Sequence, residues 1–529
     1  MARVPPNWFR PSAAPIEPPR AATITEAFIE AASRDPTAPV VADERSGVKT
    51  FRDLVAAVLV LRRVFQALPG ERLGMMLPAS VSASVSYLAC LLAGKIPVML
   101  NWTLGCQHIA RGIEIAGLER VVTARALVNR LAARGLDLGK VAERLVFLED
   151  VAGSIGPLAR ARALAASRLP WRSLARTTPP PTAVILFTSG SEGLAKAVPL
   201  SHQNMLRNLI SVMGLIPVSQ SDCLFAFLPP FHAFGITVLI IGPLCFGMRT
   251  VYHPDPTQGA ALGKVAAKFK PTIVLGTPTF LSGIARRSRP EQLASLRLII
   301  TGAEKCHDRV YDLLANRCPN ATVVEGYGVT ECSPIVAVNT PTDPRRATIG
   351  RLLPGYERFY THPETGEALA PPCTGVLHVR GPCVFDGYLN YEGPSPFIER
   401  DGARWYCTGD IVSEDCEGIL TFRGRVKRFV KMGGEMVSLP AVEAVLQDHY
   451  GREEGTVLAV EATSDERPRV VLFTTIEIER DEANAVVRQA GLSPLHFVRR
   501  VIRLDELPLL GTGKVNYRAL RTLLARPDA

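Results

Sequence analysis

At 529 residues the chain exceeds what one compact core supports, so two or more domains are expected. A hydrophobic fraction of 47% with 21% charged residues excludes a disordered or fibrous chain and describes a globular one. Sixty Lys and Arg against fifty Asp and Glu leave a net charge of +10, which is weak evidence for nucleic acid and fits anionic substrates or acidic protein partners equally well.

Residues 1–24 carry Pro and Arg without the apolar core of a signal peptide, so a flexible lead-in is expected. Helical spacing follows at 25–33 and 51–68, then a strand at 72–76, a helix at 81–93 and a strand at 94–100. The alternation continues through 121–122 and 145–148, which predicts an α/β fold with a largely parallel sheet. The most apolar windows, 81–94 and 236–248, are too short or too interrupted by Gly and Pro to cross a membrane, leaving at most peripheral membrane contact. The eleven cysteines are odd in number and contain no Cys-x-x-Cys pair, which points to a reduced, cytoplasmic setting and to neither a zinc site nor a disulfide framework.

A Pro-rich linker at 169–181 delivers the chain to an apolar strand at 184–187, which stops at Thr188-Ser189-Gly190-Ser191-Glu192-Gly193, with Lys196 shortly after. Glycines let a backbone approach an anion closely, the hydroxyls donate to phosphate oxygens, and the lysine adds charge, so this is a strand feeding a phosphate-binding loop. It is not a Walker A loop, because Leu194 and Ala195 separate Gly193 from Lys196. Ser201 can cap a helix through Met213, and 224–227, 238–241, 273–275 and 298–300 read as buried strands. Short strands with frequent Gly and Pro predict a small β-rich subdomain over about 350–422. Beyond a basic stretch at 422–431 the pattern becomes a compact α+β domain.

Three further blocks carry chemistry. In Glu325-Gly326-Tyr327-Gly328-Val329-Thr330-Glu331 a tyrosine can lie against a base, a threonine can reach a phosphate, and a carboxylate can hold Mg²⁺ between phosphate oxygens. Tyr406-Cys407-Thr408-Gly409-Asp410 places an acid where a turn can present it to ribose hydroxyls, with Arg423 and Arg425 as cationic donors nearby. Leu510-Gly511-Thr512-Gly513-Lys514 sets a lysine on a glycine-flanked loop. Each residue alone has an ordinary structural explanation as a packed aromatic, a capping acid or a surface charge. Their order and spacing together are specific.

From about Thr25 onward the sequence resembles the adenylate-forming superfamily of acyl-CoA synthetases, peptide-synthetase adenylation domains and luciferases. The resemblance implies a large N-terminal adenylating domain of layered α/β subdomains with a β-rich subdomain, over 25–426, and a small mobile α+β C-terminal domain, over 427–529. It implies that Thr188 to Gly193 and Lys196 handle the ATP β- and γ-phosphates, that Gly302, Ala303, Glu304 and Tyr327 enclose the adenine, and that Thr330 meets the α-phosphate. Glu331 would hold Mg²⁺, Asp410 and Arg425 the ribose, and Lys514 would bridge the carboxylate and α-phosphate oxygens. Lys427 falls at the family's hinge, and Gly434 would line the channel for a pantetheine arm.

The run Leu228-Pro229-Pro230-Phe231-His232-Ala233-Phe234-Gly235 resembles the block bordering the acyl pocket, to which Phe234, Gly235 and Gly326 are assigned, with His232 as gate to the thiol channel. Ala233 stands where amino-acid-activating relatives place an aspartate, so a medium or long aliphatic acid is expected. Closer similarity is to the synthetase half of bacterial acyl-ACP synthetase / 2-acylglycerophosphoethanolamine acyltransferase, which implies acyl carrier protein as acceptor, with CoA as the alternative. A nucleotide- or acyl-binding module with impaired catalysis is the reading from another class. Arg499, Arg500 and Arg503 are the expected dock for an acidic carrier. One His-x4-Asp match, His307 to Asp312, is read as chance. Relatives commonly have Gly-x-Pro-Lys-Gly where this chain has Gly193-Leu194-Ala195-Lys196-Ala197, and Ala197 is expected to bar a positive φ.

Overall fold

The computed structural model describes residues 4–9, 12–171, 174, 177–189, 195–432, 435–451, 457–464, 468–510 and 514–525. The fold is a mixed α/β architecture built on two large sheets. In the nine-stranded sheet the strands Pro39–Asp43, Arg249–Tyr252, Cys223–Ala226, Ile273–Gly276, Leu298–Gly302 and Thr322–Gly328 run parallel side by side. Their side chains are almost entirely buried, as a sheet covered by helices on both faces requires. The six-stranded sheet places Leu145–Phe147, Val121–Thr123, Arg72–Met76, Ile96–Met99 and Thr182–Ser189 in parallel, and closes with the antiparallel strand Ala195–Ser201. The predicted helices at 25–33 and 51–68 are Ile24–Arg34 and Phe51–Ala67, each opened by a threonine capping box. Ser201 caps His202–Met213 in the same manner with Asn204.

A third sheet of short antiparallel strands spans Glu357–Thr361 to Leu420–Arg425. The turn Val426–Arg428 then leads to the hairpin Phe429–Met432 and Glu435–Ser438, and to a three-stranded sheet of Leu458–Ala462, Val470–Thr474 and Arg500–Arg503 with three helices. The C-terminal segment has its own apolar clusters around Val437, Leu446, Leu472 and Phe473, apart from the cluster that runs through the rest of the chain.

Three expectations are corrected. The apolar run at 238–241 is not a strand; Phe234–Ile241 is a wide helical turn that continues into the helix Gly242–Phe246. A segment apolar on all sides carries no period, and its helical entry at Ala233 together with the following Gly-Pro decided the matter. The lead-in is anchored on the body at Trp8, which is 0% exposed and donates its indole N–H to the Phe269 carbonyl at 3.0 Å. Ala197 lies in a regular strand opposite Phe187 and needs no positive φ. Among the described residues no helix is long and apolar enough to cross a membrane.

Candidate active site

The parallel strands of the nine-stranded sheet deliver Thr277, Gly302 and Tyr327 to one edge, their carboxyl ends, where ligands of open α/β sheets bind. Backbones approach closely here. A Cβ on Gly302 would stand 3.0 Å from the Gly326 carbonyl oxygen, and one on Gly328 would collide with that of Pro334. Ala303 turns the chain with φ 68°, and Glu304 then accepts from the Thr279 hydroxyl at 2.8 Å through one oxygen. Its other oxygen has no hydrogen-bond partner. Burial raises the Glu304 pKa, while Lys514 and Thr279 oppose the rise.

Asp410 and Arg425 are cross-strand partners in the antiparallel sheet. Asp410 is 1% exposed and accepts from the Tyr327 hydroxyl at 2.6 Å through Oδ2. Arg425 Nε lies 3.2 Å from Oδ1, so the buried acid is also ion-paired. Burial raises the Asp410 pKa against the pull of Arg425, and Asp410 in turn holds the guanidinium charged.

Thr330 and Glu331 sit in the short turn Thr330–Cys332. Glu331 is 7% exposed and accepts from Tyr388 at 2.8 Å; burial raises its pKa, and Tyr388 and Arg425 lower it. Lys196, paired in register with Thr188, places its ammonium 4.8 Å and 4.4 Å from the ring centres of Tyr388 and Tyr391. Tyr388 therefore joins Lys196 to Glu331.

Lys514 accepts from the Leu510 amide at 2.7 Å through its carbonyl. Its ammonium stands within electrostatic reach of Glu304, Arg425, Asp410 and His232. Burial lowers its pKa; Glu304 and Asp410 oppose this and Arg425 adds to it. His232 is buried against Phe231, itself edged by Trp102, and its Nε2 has no partner. Burial, reinforced by Lys514, pulls the imidazole down to about 3, so the ring is neutral.

Behind this cluster lies an apolar cavity of about 130 Å³. Phe234, Gly302, Gly326 and Tyr327 form its mouth, and Val238, Leu275 and Ile300 continue its wall. Gly235 does not line it; a Cβ there would collide with the Pro229 carbonyl, so this glycine serves backbone packing. Lys427 lies in the turn directly after Arg425. Gly190, Ser191, Glu192, Gly193 and Gly434 lie outside the described residues, as does the Ser189 side chain.

Sequence reasoning missed Tyr388, Tyr391 and Thr279. The first two stand in Gly387-Tyr388-Leu389-Asn390-Tyr391, where aromatics in a loop rather than on an apolar face were the available signal.

One carboxylate with a hydroxyl partner fits a magnesium ion that arrives with a nucleotide, since Mg²⁺ is commonly held by one or two carboxylates plus substrate phosphates. Among the described residues no group of three or more His, Cys, Asp or Glu would hold an ion alone.

A family model described as AMP-binding enzyme matches residues 28–389. The chain is 26% identical over 542 residues to a long-chain-fatty-acid–CoA ligase of Escherichia coli O157:H7, covering 96% of this chain and 95% of the relative. It is 26% identical over 544 residues to 4-coumarate–CoA ligase-like 3 of Oryza sativa subsp. japonica, covering 97% and 90%. The crystal structure of ATP-bound MatB from Rhodopseudomonas palustris superposes with a TM-score of 0.76 at 25% identity, covering 94% of this chain and 98% of that one.

Proposed function

This chain belongs to the AMP-binding enzyme family, and on that premise we propose that it activates a medium or long aliphatic acid with ATP and passes the acyl group to the thiol of CoA. The observation that carries this reading is the apolar cavity opening at Gly302, Gly326 and Tyr327, directly beside the cluster of Asp410, Arg425 and Lys514. An alkyl tail and an anionic head have complementary surroundings on the two sides of that mouth.

In the first half-reaction a carboxylate oxygen attacks the α-phosphorus, the bond to the bridging oxygen breaks, and pyrophosphate leaves. Two anions must meet, and Lys514 lowers that repulsion in a site poor in water. Losing one such stabiliser costs on the order of 10²–10³ in rate. Asp410 accepts from the ribose, Tyr327 lies against the base, and Lys196 leaves its two tyrosines for the outer phosphates. Magnesium bound at Glu331 would neutralise developing phosphate charge. In the second half-reaction the thiol attacks the acyl carbon, forming a C–S bond as AMP departs. Lys427 is the hinge in this reading, and rotation there exchanges Lys514 for Gly434, which lines the thiol channel. The eleven free cysteines support a reducing, cytoplasmic setting.

Acyl carrier protein, the acceptor implied by the closer resemblance, gives way here to CoA. The relatives reported above are named as CoA ligases. The groove containing Arg499, Arg500 and Arg503 also contains Glu477, Glu479 and Asp481, an interleaving that does not single out an acidic partner. The test is acid-dependent pyrophosphate release from ATP and Mg²⁺ over a fatty-acid series, for the wild type and Lys514→Ala, followed by addition of CoA or holo-carrier protein. Release that falls at least about 100-fold in the variant, with acyl-CoA as product, supports the reading. Consumption of the adenylate only by the carrier would restore the other acceptor, and absence of release with every acid would remove the fatty-acid substrate.

A further inference from the structure

Residues 12–22 cross the surface as an extended strap that is pinned at both ends. Upstream, the Trp8 indole donates to the Phe269 carbonyl at 3.0 Å, and Arg249 donates to the carbonyls of Trp8 and Ser221. Downstream, Thr23 caps the helix Ile24–Arg34. Between them Pro15 bridges Ser219, Gln220 donates to the Ala14 carbonyl at 2.9 Å, and Ile16 donates to the Val218 carbonyl at 3.4 Å. The Ile16 side chain is half-buried, and what it meets is the apolar cavity, whose wall it completes together with Val218 and Met213.

Strand register places Ile16 along that cavity. Leu224 lies beside Ile273, which lies beside Leu298, at the starts of three strands, while Gly302 and Gly326 are paired near the ends. The cavity touches both levels, Leu224 and Ile273 at one and Gly302 and Gly326 at the other. The four-residue rise from Leu298 to Gly302 spans about 13 Å. Val218 precedes the strand Cys223–Ala226, so Val218 and Ile16 stand at the end remote from Glu304 and Tyr327.

We propose that Ile16 is a specificity-determining residue, with the strap closing the far end of the cavity and the Ile16 side chain setting the longest acyl chain admitted. This rests on the reading of the cavity as the acyl site. A chain that just reaches Ile16 gains apolar contact along its whole length. A longer one meets a side chain that both anchors of the strap hold in place. The recognised ligand is thus an unbranched aliphatic tail of limited length, and the limit is imposed by a segment outside the two large sheets.

The experiment uses the full chain as wild type, Ile16→Ala and Ile16→Trp, with saturated acids from hexanoic to octadecanoic. The first readout is kcat/KM for pyrophosphate release, taken within each protein as the ratio of longer to shorter acids, so that a general loss of activity cancels. The second is displacement of a fluorescent fatty acid by the same series without ATP. The alanine variant moves the preference to longer acids and the tryptophan variant to shorter ones, each changing the ratio at the long end about tenfold. Superimposable profiles for the three proteins overturn the inference, as does failure of every acid to displace the probe from the wild type. Absence of pyrophosphate release with displacement profiles that still shift in opposite directions would defeat the proposed activity and leave the strap's role standing.

Discussion

Arg309 offers a direct handle on the arrangement that brings Lys514 to the cleft. It lies on the helix Asp308–Arg317 of the large body, and its guanidinium donates to the carbonyls of Gln447 and Gly451 at the end of the C-terminal helix Leu439–Tyr450. Next to it His307 meets Asp448 at 2.9 Å. The last carbonyls of a helix are unsatisfied and carry its negative dipole end, so a cation there is favoured. Hydrogen bonds to a charged group contribute about 1.5–3 kcal/mol each, and the exposed position of Arg309 reduces that, leaving ~1–2 kcal/mol for the pair. Arg309→Ala therefore lowers the weight of the Lys514-in arrangement about 5–30-fold. Pyrophosphate release from ATP and acid falls by up to that factor, whereas thioester formation from supplied acyl-adenylate does not fall. Single-turnover measurement of the two half-reactions separates them. An equal loss in both, or none in either, would show that this contact does not hold the lid in its adenylating position.

Glu325 lies beneath the site, 5% exposed, accepting from the Cys306 amide at 3.0 Å, and burial raises its pKa from 4.5 to about 7. The folded state then holds a proton that the unfolded state has lost, so this group's stabilisation is complete below about pH 4.5 and disappears as pH rises through 7, an effect on the order of 3 kcal/mol. Glu325→Gln should lose less melting temperature than wild type between pH 5 and 8, and parallel curves would refute the assignment. Gly302→Val narrows the cavity mouth, where a Cβ already stands 3.0 Å from the Gly326 carbonyl; KM for the acid should rise at least about tenfold, and an unchanged KM would place the acyl chain elsewhere. Trp8→Ala removes a fully buried anchor costing about 3–5 kcal/mol, so trypsin should cleave after the exposed Arg20 on the order of 10² times faster. An unchanged cleavage rate would mean that the strap does not depend on this side chain.

Legibility in the sequence followed the physics of each element. Strands such as Leu298–Gly302 were readable because continuous β-branched runs bounded by glycine have few other uses, and helices such as His202–Met213 because a capping serine and an apolar period coincide. The run from Phe234 to Ile241 failed because complete burial erases the period that separates helix from strand. Ala197 was misjudged because a loop rule was applied to a residue that the opposing Phe187 holds in a strand. Lys196, Tyr327, Asp410, Arg425 and Lys514 could be singled out because the proposed phosphate, base and ribose contacts call for particular residue types in a particular chain order, and the structure brings Tyr327, Asp410, Arg425 and Lys514 together. Tyr388 escaped because its task is to hold Lys196 and Glu331, and a supporting aromatic has no required neighbour in sequence.

The sequence by itself determined the α/β class and the residue chemistry for a nucleotide, since backbone propensity, hydrophobic period and short motifs are local properties. Only the tertiary structure decided what stands opposite what. It decided that the Tyr327 hydroxyl meets Asp410 across 83 positions of chain, that Lys514 from near the C-terminus reaches the same cleft, and that Ile16 from near the N-terminus lines the cavity behind it. Contacts between distant residues depend on how the sheets stack and on which segments cover their edges. That arrangement is a joint property of the whole packed core and is not carried by any single stretch of chain.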